Sequence, residues 1–345
     1  MRSSEFLLFL GAGTSTPFGV PTMSQMAEEF DEYIGKRPQE ALYQEITLAL
    51  KQLYNRYDIE TVLSVIQGLR SPSYVDPYEA FIFHKVGKER LGIITPQLQQ
   101  SASELEKTLV KFILEKCDLN KNKYEQKKGV YDKLFAFLGE VSPQLKIENK
   151  LRLNIYTTNY DRYLDRYLND TFAPNYNSAV KDYFEQSGEE AYLRLNESYF
   201  TSEYVPSDQF VKLHGSVNWY KSGAGKVVRT LEPLKDYEEN RVMIYPTNDK
   251  PLYLEPWVSL LVLFRNALDK SKNWIVMGYS FNDEYLRGVF EEKLKSGDHR
   301  LVIIGKEGKK IAKTRFKGNK SVLGLKCEFD NLKTCVDDVQ QWFKT

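Results

Sequence analysis

The sequence predicts an α/β chain, with a mostly parallel sheet carrying helices on both faces and a largely helical insertion. Three observations predict it. Short apolar runs at 6–10 (FLLFL), 274–278 (WIVMG) and 300–304 (RLVII) lack the alternation of a half-buried strand, so they read as strands covered on both sides. Most strand-like runs end in glycine or polar residues and give way to helical spacing. From about Leu42 to Leu138, apolar residues recur at three and four with almost no strand signal.

Taken in order, the first run drives straight into Gly11-Ala12-Gly13. Residues 21–35 then show helical spacing through Met23, Met26, Phe30, Tyr33 and Ile34. ALYQEITLALKQLYNRY, IETVLSVIQGL, LEKTLVKFILEKC and YDKLFAFLGEV continue that period and form the insertion. Strand character returns at 151–157 (LRLNIYT) and stops at Thr158-Asn159-Tyr160-Asp161, before a short helix. Residues 170–209 are polar and tyrosine-rich, as expected for loops and short hairpins. A strand at 210–213 ends in His214-Gly215, and 216–220 with 226–229 form a hairpin around SGAG. Short strands follow at 242–245, 274–278, 300–304 and 325–329, with helices at 257–268, after YSFNDEYL to about Lys295, and at 336–343.

Composition narrows the function classes. The chain has 345 residues, of which 42% are hydrophobic and 28% charged, as in soluble globular proteins. Its 48 basic and 47 acidic residues nearly cancel, so no chain-wide field draws it to nucleic acid or an anionic membrane. The basic stretch 306–320 holds few aromatics and reads as a solvated loop and helix end. Cys117, Cys327 and Cys335 form no CxxC pair, and His84, His214 and His299 are widely spaced, so no metal site is expected. Scattered thiols fit a reducing cytoplasm. The apolar runs are too short for a signal core or a membrane span.

Four constellations fall at strand ends, where ligands bind in sheets of this kind. In LGAGTSTPFGVP, glycines allow close backbone approach, and a hydroxyl from Thr14 or Ser15 adds a donor. The run departs from G-x-G-x-x-G because Thr16 holds the third glycine position. A phosphate cradle and a plain strand-to-helix turn both fit. In YTTNYDRYLD, Asn159 or Asp161 is either a helix N-cap or a polar group offered at the sheet rim. In FVKLHGSVNWY, His214 is either a general base or a structural imidazole. In WIVMGYSFNDEYL, Gly278 and Ser280 repeat the glycine–hydroxyl pattern, and Asn282 or Asp283 fits an N-cap. The acidic ribose anchor of a dehydrogenase is not evident, since Glu28, Glu29 and Asp31 lie in a helical pattern.

In this order the motifs resemble the sirtuin family, whose core carries a GAGxS loop, an Asn-x-Asp triplet, a His-Gly and a Gly-x-Ser loop. Here these are Gly11-Ala12-Gly13-Thr14-Ser15, Asn159-Tyr160-Asp161, His214-Gly215 and Gly278-Tyr279-Ser280. The chain is most similar to the sirtuin-like branch of bacterial anti-phage systems, in which TTNYD, LHGS and GYSF followed by Asn-Asp are characteristic. Two departures from deacetylating sirtuins accord with that branch. The zinc-binding cysteines that follow the histidine are missing between Cys117 and Cys327. Gly19-Val20-Pro21-Thr22-Met23-Ser24 stands where an acidic-Phe-Arg triplet is usual.

The resemblance implies a Rossmann-like, NAD-binding domain spanning 1–345, with a core at about 1–35 and 151–330, a helical insertion at 36–150 and a C-terminal helix at 331–345. It implies an NAD glycohydrolase that depletes NAD in defence, with NAD as substrate and no metal. Asn159, His214 and Asp161 are the implied catalytic residues. Gly11, Ala12, Gly13, Thr14, Ser15, Thr158, Gly278, Tyr279, Ser280 and Gly305 are the implied dinucleotide contacts. A cytoplasmic homo-oligomer, or a pairing with a HerA-type ATPase or another defence subunit, is the implied gate. The rivals are a non-catalytic NAD or ADP-ribose binding subunit and, against the missing cysteines, an NAD-dependent protein deacylase.

Overall fold

The computed structural model describes residues 6–54, 57–70, 96–142, 146–147, 150–151, 153–172, 184–186, 193–195, 209–223, 225–230, 241–244 and 255–344. The chain begins with β1 (Phe6–Leu10) and two turns of 3-10 helix, Ala12–Thr14 and Thr16–Phe18. Helices α1 (Met23–Ile34), α2 (Glu40–Tyr54), α3 (Ile59–Arg70), α4 (Pro96–Cys117), α5 (Lys121–Lys127) and α6 (Gly129–Val141) follow. A two-residue ladder, β2 (Lys146–Ile147) with β3 (Lys150–Leu151), leads to β4 (Asn154–Thr157) and α7 (Tyr163–Phe172). Next come β5 (Phe184–Gln186), β6 (Leu193–Leu195), β7 (Gln209–Lys212), β8 (Gly215–Lys221), β9 (Val227–Arg229) and β10 (Arg241–Met243). The chain closes with α8 (Trp257–Lys270), β11 (Asn273–Met277), α9 (Glu284–Leu294), β12 (Arg300–Gly305), α10 (Gly308–Arg315), β13 (Val322–Lys326) and α11 (Val336–Lys344).

Six strands form one sheet in the order β13-β12-β11-β1-β4-β7, and every pair is parallel. Counted along the chain, this is the 3-2-1-4-5-6 order of doubly wound dinucleotide-binding sheets. The direction of winding reverses between β1 and β11. Right-handed crossovers therefore place α7 on one face and α9 with α10 on the other. This is the α/β, Rossmann-like class that the apolar strands predict. β1 is buried along its whole length, as a central strand covered on both faces must be. Phe9 is fully buried and packs its ring on Phe264, Tyr279 and Phe290.

A second sheet, β10-β8-β9-β6-β5, is antiparallel throughout. It contains the expected hairpin, with Trp219 opposite Arg229. Much of the polar stretch 170–209 lies outside the described residues. Two expected strands shift. The strand expected at 151–157 splits, because Leu151 pairs with Lys146 while β4 starts at Asn154. The strand expected at 325–329 is β13, Val322–Lys326. Gly324 hid its start, since a glycine reads as a strand end. Here a Cβ on Gly324 would stand 2.5 Å from the Gly308 carbonyl, so the glycine lets α10 sit on the strand.

By packing, the chain divides into two compact units. One comprises 1–20, 117–243 and 252–345 and carries both sheets. The other comprises 21–116 and 244–251 and is helical among its described residues. Phe30 on α1 meets Tyr43 on α2 and Phe112 on α4 edge-on in that unit. Asp31 there accepts hydrogen bonds from the hydroxyls of Tyr43 and Tyr57. Among the described residues, no helix is long and apolar enough to cross a membrane.

Candidate functional site at the strand tips

Parallel strands end together, and parallel order brings residues far apart in sequence to one rim. Thr157 pairs with Leu10 on one side and with Lys212 on the other. The turn Thr158–Asp161 and the pair His214-Gly215 therefore leave adjacent strand tips, about 5 Å apart by strand spacing. The loop after β1 leaves on the opposite flank of β4, beside the loop after β11.

Asn159 is the centre of the first cluster. Its Nδ2 donates to the Gly11 carbonyl at 3.0 Å, to Thr14 Oγ1 at 3.1 Å and to Ser15 Oγ at 2.9 Å. The Gly11 carbonyl can only accept, so the amide has one allowed orientation. Oδ1 then faces away from these groups, buried and without a hydrogen-bond partner among the described residues. Such an acceptor is costly unless it meets water or a ligand donor.

Asp161 completes a relay. Ser15 accepts from Asn159 and donates to Asp161 Oδ2 at 2.6 Å. Asp161 Oδ1 accepts the backbone N–H of Tyr163 at 3.2 Å, which is the helix-cap role open to it from sequence. One carboxylate thus caps α7 with one oxygen and holds Ser15 with the other. Burial raises the Asp161 carboxyl above its ordinary value; Lys212, the Ser15 hydroxyl and the Tyr163 N–H oppose that rise. Burial likewise raises the Tyr131 and Cys117 groups, with the Asp161 charge adding to each. Thr14, Ser15, Asn159, Asp161, Asp165 and Lys212 form the polar side of one small cavity whose other walls are largely apolar.

Thr157 and Ser216 were not singled out from the sequence, yet both hold the turn. Thr157 Oγ1 donates to the Leu10 carbonyl and accepts the Asn159 N–H. Ser216 Oγ and the Val217 N–H both donate to the Tyr160 carbonyl. A hydroxyl after His-Gly was the available signal.

His214 sits beside this cluster, buried to 8% exposure, and does not line that cavity. Its Nε2 lies 3.7 Å from Asp283 Oδ2, and its ring centroid lies 6.4 Å from that of Tyr160. Asp283 also caps α9 by accepting the Leu286 N–H at 3.1 Å. Gly215 follows at φ 78°, and a Cβ there would strike the Val242 carbonyl at 2.1 Å, so only glycine allows this exit from the strand tip.

The two glycine loops meet at the point where the winding reverses. Gly11 N–H donates to the Met277 carbonyl and Gly13 N–H to the Gly278 carbonyl, both at 2.9 Å. Thr14 and Ser15 N–H groups close turns onto Gly11 and Ala12. These four donors are thus used inside the protein. A Cβ on Gly11 would stand 2.7 Å from the Gly278 carbonyl, and one on Gly13 2.9 Å from Gly278 Cα. The glycines serve first to seat one loop on the other. Ala12, Gly13, Thr158, Gly278, Tyr279 and Gly305 are partly exposed around this junction, and Ser280 is exposed. After it, Phe281 takes φ 56°, held by ring contacts to Tyr279, Phe290 and Phe316. Among the described residues, no group of three or more His, Cys, Asp or Glu gathers to hold a metal ion.

A model of the SIR2-like domain matches residues 153–322. No curated protein sequence matches the chain. Among solved structures, it is similar to a Sir2 homologue mutant in complex with 2′-O-acetyl ADP ribose, at 14% identity and TM-score 0.42, over 99% of this chain and 92% of that one. It is similar to a Sir2 homologue–NAD complex at 13% identity and TM-score 0.42, over 100% and 96%. A Sir2 homologue mutant–ADP ribose complex follows at 13% identity and TM-score 0.41, over 98% and 91%.

Proposed function

We propose that the strand-tip cluster binds NAD and hydrolyses its nicotinamide–ribose bond, giving nicotinamide and ADP-ribose. One observation carries the reading: Asn159 Oδ1 is a buried acceptor with a fixed orientation and no partner among the described residues. Its setting at the switch of a doubly wound sheet, within a SIR2-like match, makes a dinucleotide the fitting ligand. In the reaction the C1′–N bond breaks and nicotinamide leaves with the bonding pair. The ribose passes through an oxocarbenium-like state, as in glycoside cleavage. Asn159 orients the incoming water or the ribose. His214 takes the proton as water adds to C1′. Asp161 acts on Asn159 through Ser15. The rims of the two glycine loops, Ala12, Gly13, Gly278 and Ser280, with Thr158, Tyr279 and Gly305, hold the rest of the dinucleotide.

The burial of His214 and of Asn159 Oδ1 supports a gated enzyme, one that opens on oligomerisation or on binding a partner such as a HerA-type ATPase. Such a gate suits NAD depletion in anti-phage defence, where an open enzyme would harm its own cell. The test incubates the purified chain with NAD across protein concentration, with and without the product of the neighbouring gene, and measures both products by chromatography. Equimolar nicotinamide and ADP-ribose are expected. Asn159→Ala and His214→Ala should each lose about 100-fold or more. Variants as fast as wild type would remove the assignment, and NAD binding without turnover under every condition would favour a sensing subunit.

A further inference from the structure

Lys212 is the last residue of β7 and one of the least exposed charges among the described residues, at 3%. Lysines are almost never buried without partners. Its Nζ donates to the Asp161 carbonyl oxygen and pairs with Asp165 Oδ2 at 2.8 Å. It thus joins the tip of β7 to the turn after β4 and to the first turn of α7. It also lines the small cavity at the strand tips with Asn159, Ser15 and Asp161.

We propose that Lys212 is a positioning residue of the strand-tip site: its ammonium clamps the Asn159–Asp161 turn and supplies the positive charge beside the Asp161 carboxylate on which the Ser15–Asn159 hydrogen bonds depend. The groups that face Asp161 are Lys212 from β7, Asp165 and Tyr163 from α7, Ser15 from the first loop, Tyr131 from α6 and Cys117 from the end of α4. Lys212 is the cation among them, set against two carboxylates. Without it, Asp161 and Asp165 repel inside a desolvated pocket, and protonation of Asp161 becomes favoured. A protonated Asp161 no longer offers two accepting oxygens. The Ser15 hydroxyl and the Tyr163 N–H then compete for the one carbonyl oxygen, the bond to Ser15 weakens, and Asn159 loses the hydroxyl orientation that holds its amide.

The claim rests on the functional reading only for its turnover arm; its other arm needs no NAD. Full-length Lys212→Met, Lys212→Arg and Lys212→Met/Asp161→Asn are melted between about pH 5 and about pH 8. The sign follows from Asp161. A carboxyl raised in the folded state contributes stability that is present below its unfolded value and is lost as pH rises through the folded value. Removing the cation raises it further. The melting gap between wild type and Lys212→Met is therefore wide at about pH 8 and narrows by about half or more toward about pH 5. The double variant melts above Lys212→Met at about pH 8, because no uncompensated Asp161 charge remains. A gap that does not change with pH, or a double variant no more stable than the single one, overturns the proposal. If Lys212→Met does not fold, a folded double variant supports it and an unfolded one overturns it.

In the turnover arm, Lys212→Met loses about 30-fold in kcat with KM within about twofold, and Lys212→Arg stays within about threefold of wild type. Wild-type kcat in Lys212→Met overturns positioning. A wild type that never turns over NAD counts against the functional reading alone and leaves the melting result standing.

Discussion

Ser15 donates its hydroxyl to Asp161 Oδ2 across 2.6 Å and ties the loop after β1 to the turn after β4. The two residues are 146 apart in sequence, and both are buried. Through this bond the Asp161 carboxylate is coupled to the Asn159 amide, which donates to the same hydroxyl.

Ser15→Ala tests the relay. It strips Asp161 Oδ2 of a donor and Asn159 Nδ2 of an acceptor, at a cost of about 1–3 kcal/mol by urea unfolding. NAD turnover should fall about 10–100-fold, with the change in kcat. A folded Ser15→Ala with wild-type kcat would show that Asn159 is oriented without Asp161.

The loop junction makes a paired prediction from two glycines. Gly278 has φ 63°, and a Cβ on it would lie 2.7 Å from the Thr14 nitrogen, so Gly278→Ala should cost about 2 kcal/mol or more. Gly288 sits in α9 with nothing within 4 Å of a Cβ, so Gly288→Ala should gain about 0.4–1 kcal/mol. Chemical denaturation of the two variants separates loop seating from ordinary glycine entropy; equal changes would remove the distinction.

Asp283 has two separable tasks. Asp283→Asn keeps a side-chain oxygen for the Leu286 N–H but removes the negative charge 3.7 Å from His214. Its melting temperature should stay near wild type while NAD turnover falls about tenfold. Asp283→Ala should also lose about 1 kcal/mol of stability with the cap. If Asp283→Asn retains full turnover, the carboxylate serves the helix alone.

Alkaline pH should act on the helical unit. Burial raises the Tyr43 phenol well above its usual value and pushes Tyr57 up to about 12, with Asp31 adding to both. A group raised in the folded state contributes stability that is present below its unfolded value, near 10, and is lost as pH rises through the folded value. Helical circular dichroism should therefore drop on titration from about pH 10 to about pH 12, and Tyr43→Phe should flatten that limb. A limb unchanged in Tyr43→Phe would place the alkaline loss elsewhere.

Strands β1, β11 and β12 were visible in the sequence because a strand covered on both faces must be apolar at every position. The helical run was visible because a buried stripe imposes a period near 3.6. The rim positions of Asn159, His214 and Gly278 were visible because each interrupts such a run. Thr157 and Ser216 lie inside TTNYD and LHGS without showing what they hold, and Lys212 and Asp165 left no comparable mark. Lys212 occupies an ordinary strand-end position, and a lysine there normally reads as solvated. Its burial depends on Asp165, a residue 47 positions away that reaches it only once β4 and β7 pair. The glycines of the first loop fit both a phosphate cradle and a plain turn, because local sequence shows flexibility and not the neighbour that needs it. That neighbour, Gly278, arrives from a strand more than 260 residues later.

By itself, the sequence determined which apolar runs form the central strands, which helices bury one face, and which polar residues stand at strand ends, because those properties are carried by residues close together in the chain. Only the tertiary structure decided the six-strand order, the Ser15–Asp161–Asn159 relay and the clamp by Lys212, because each requires groups separated by long stretches of chain to lose water together in one place.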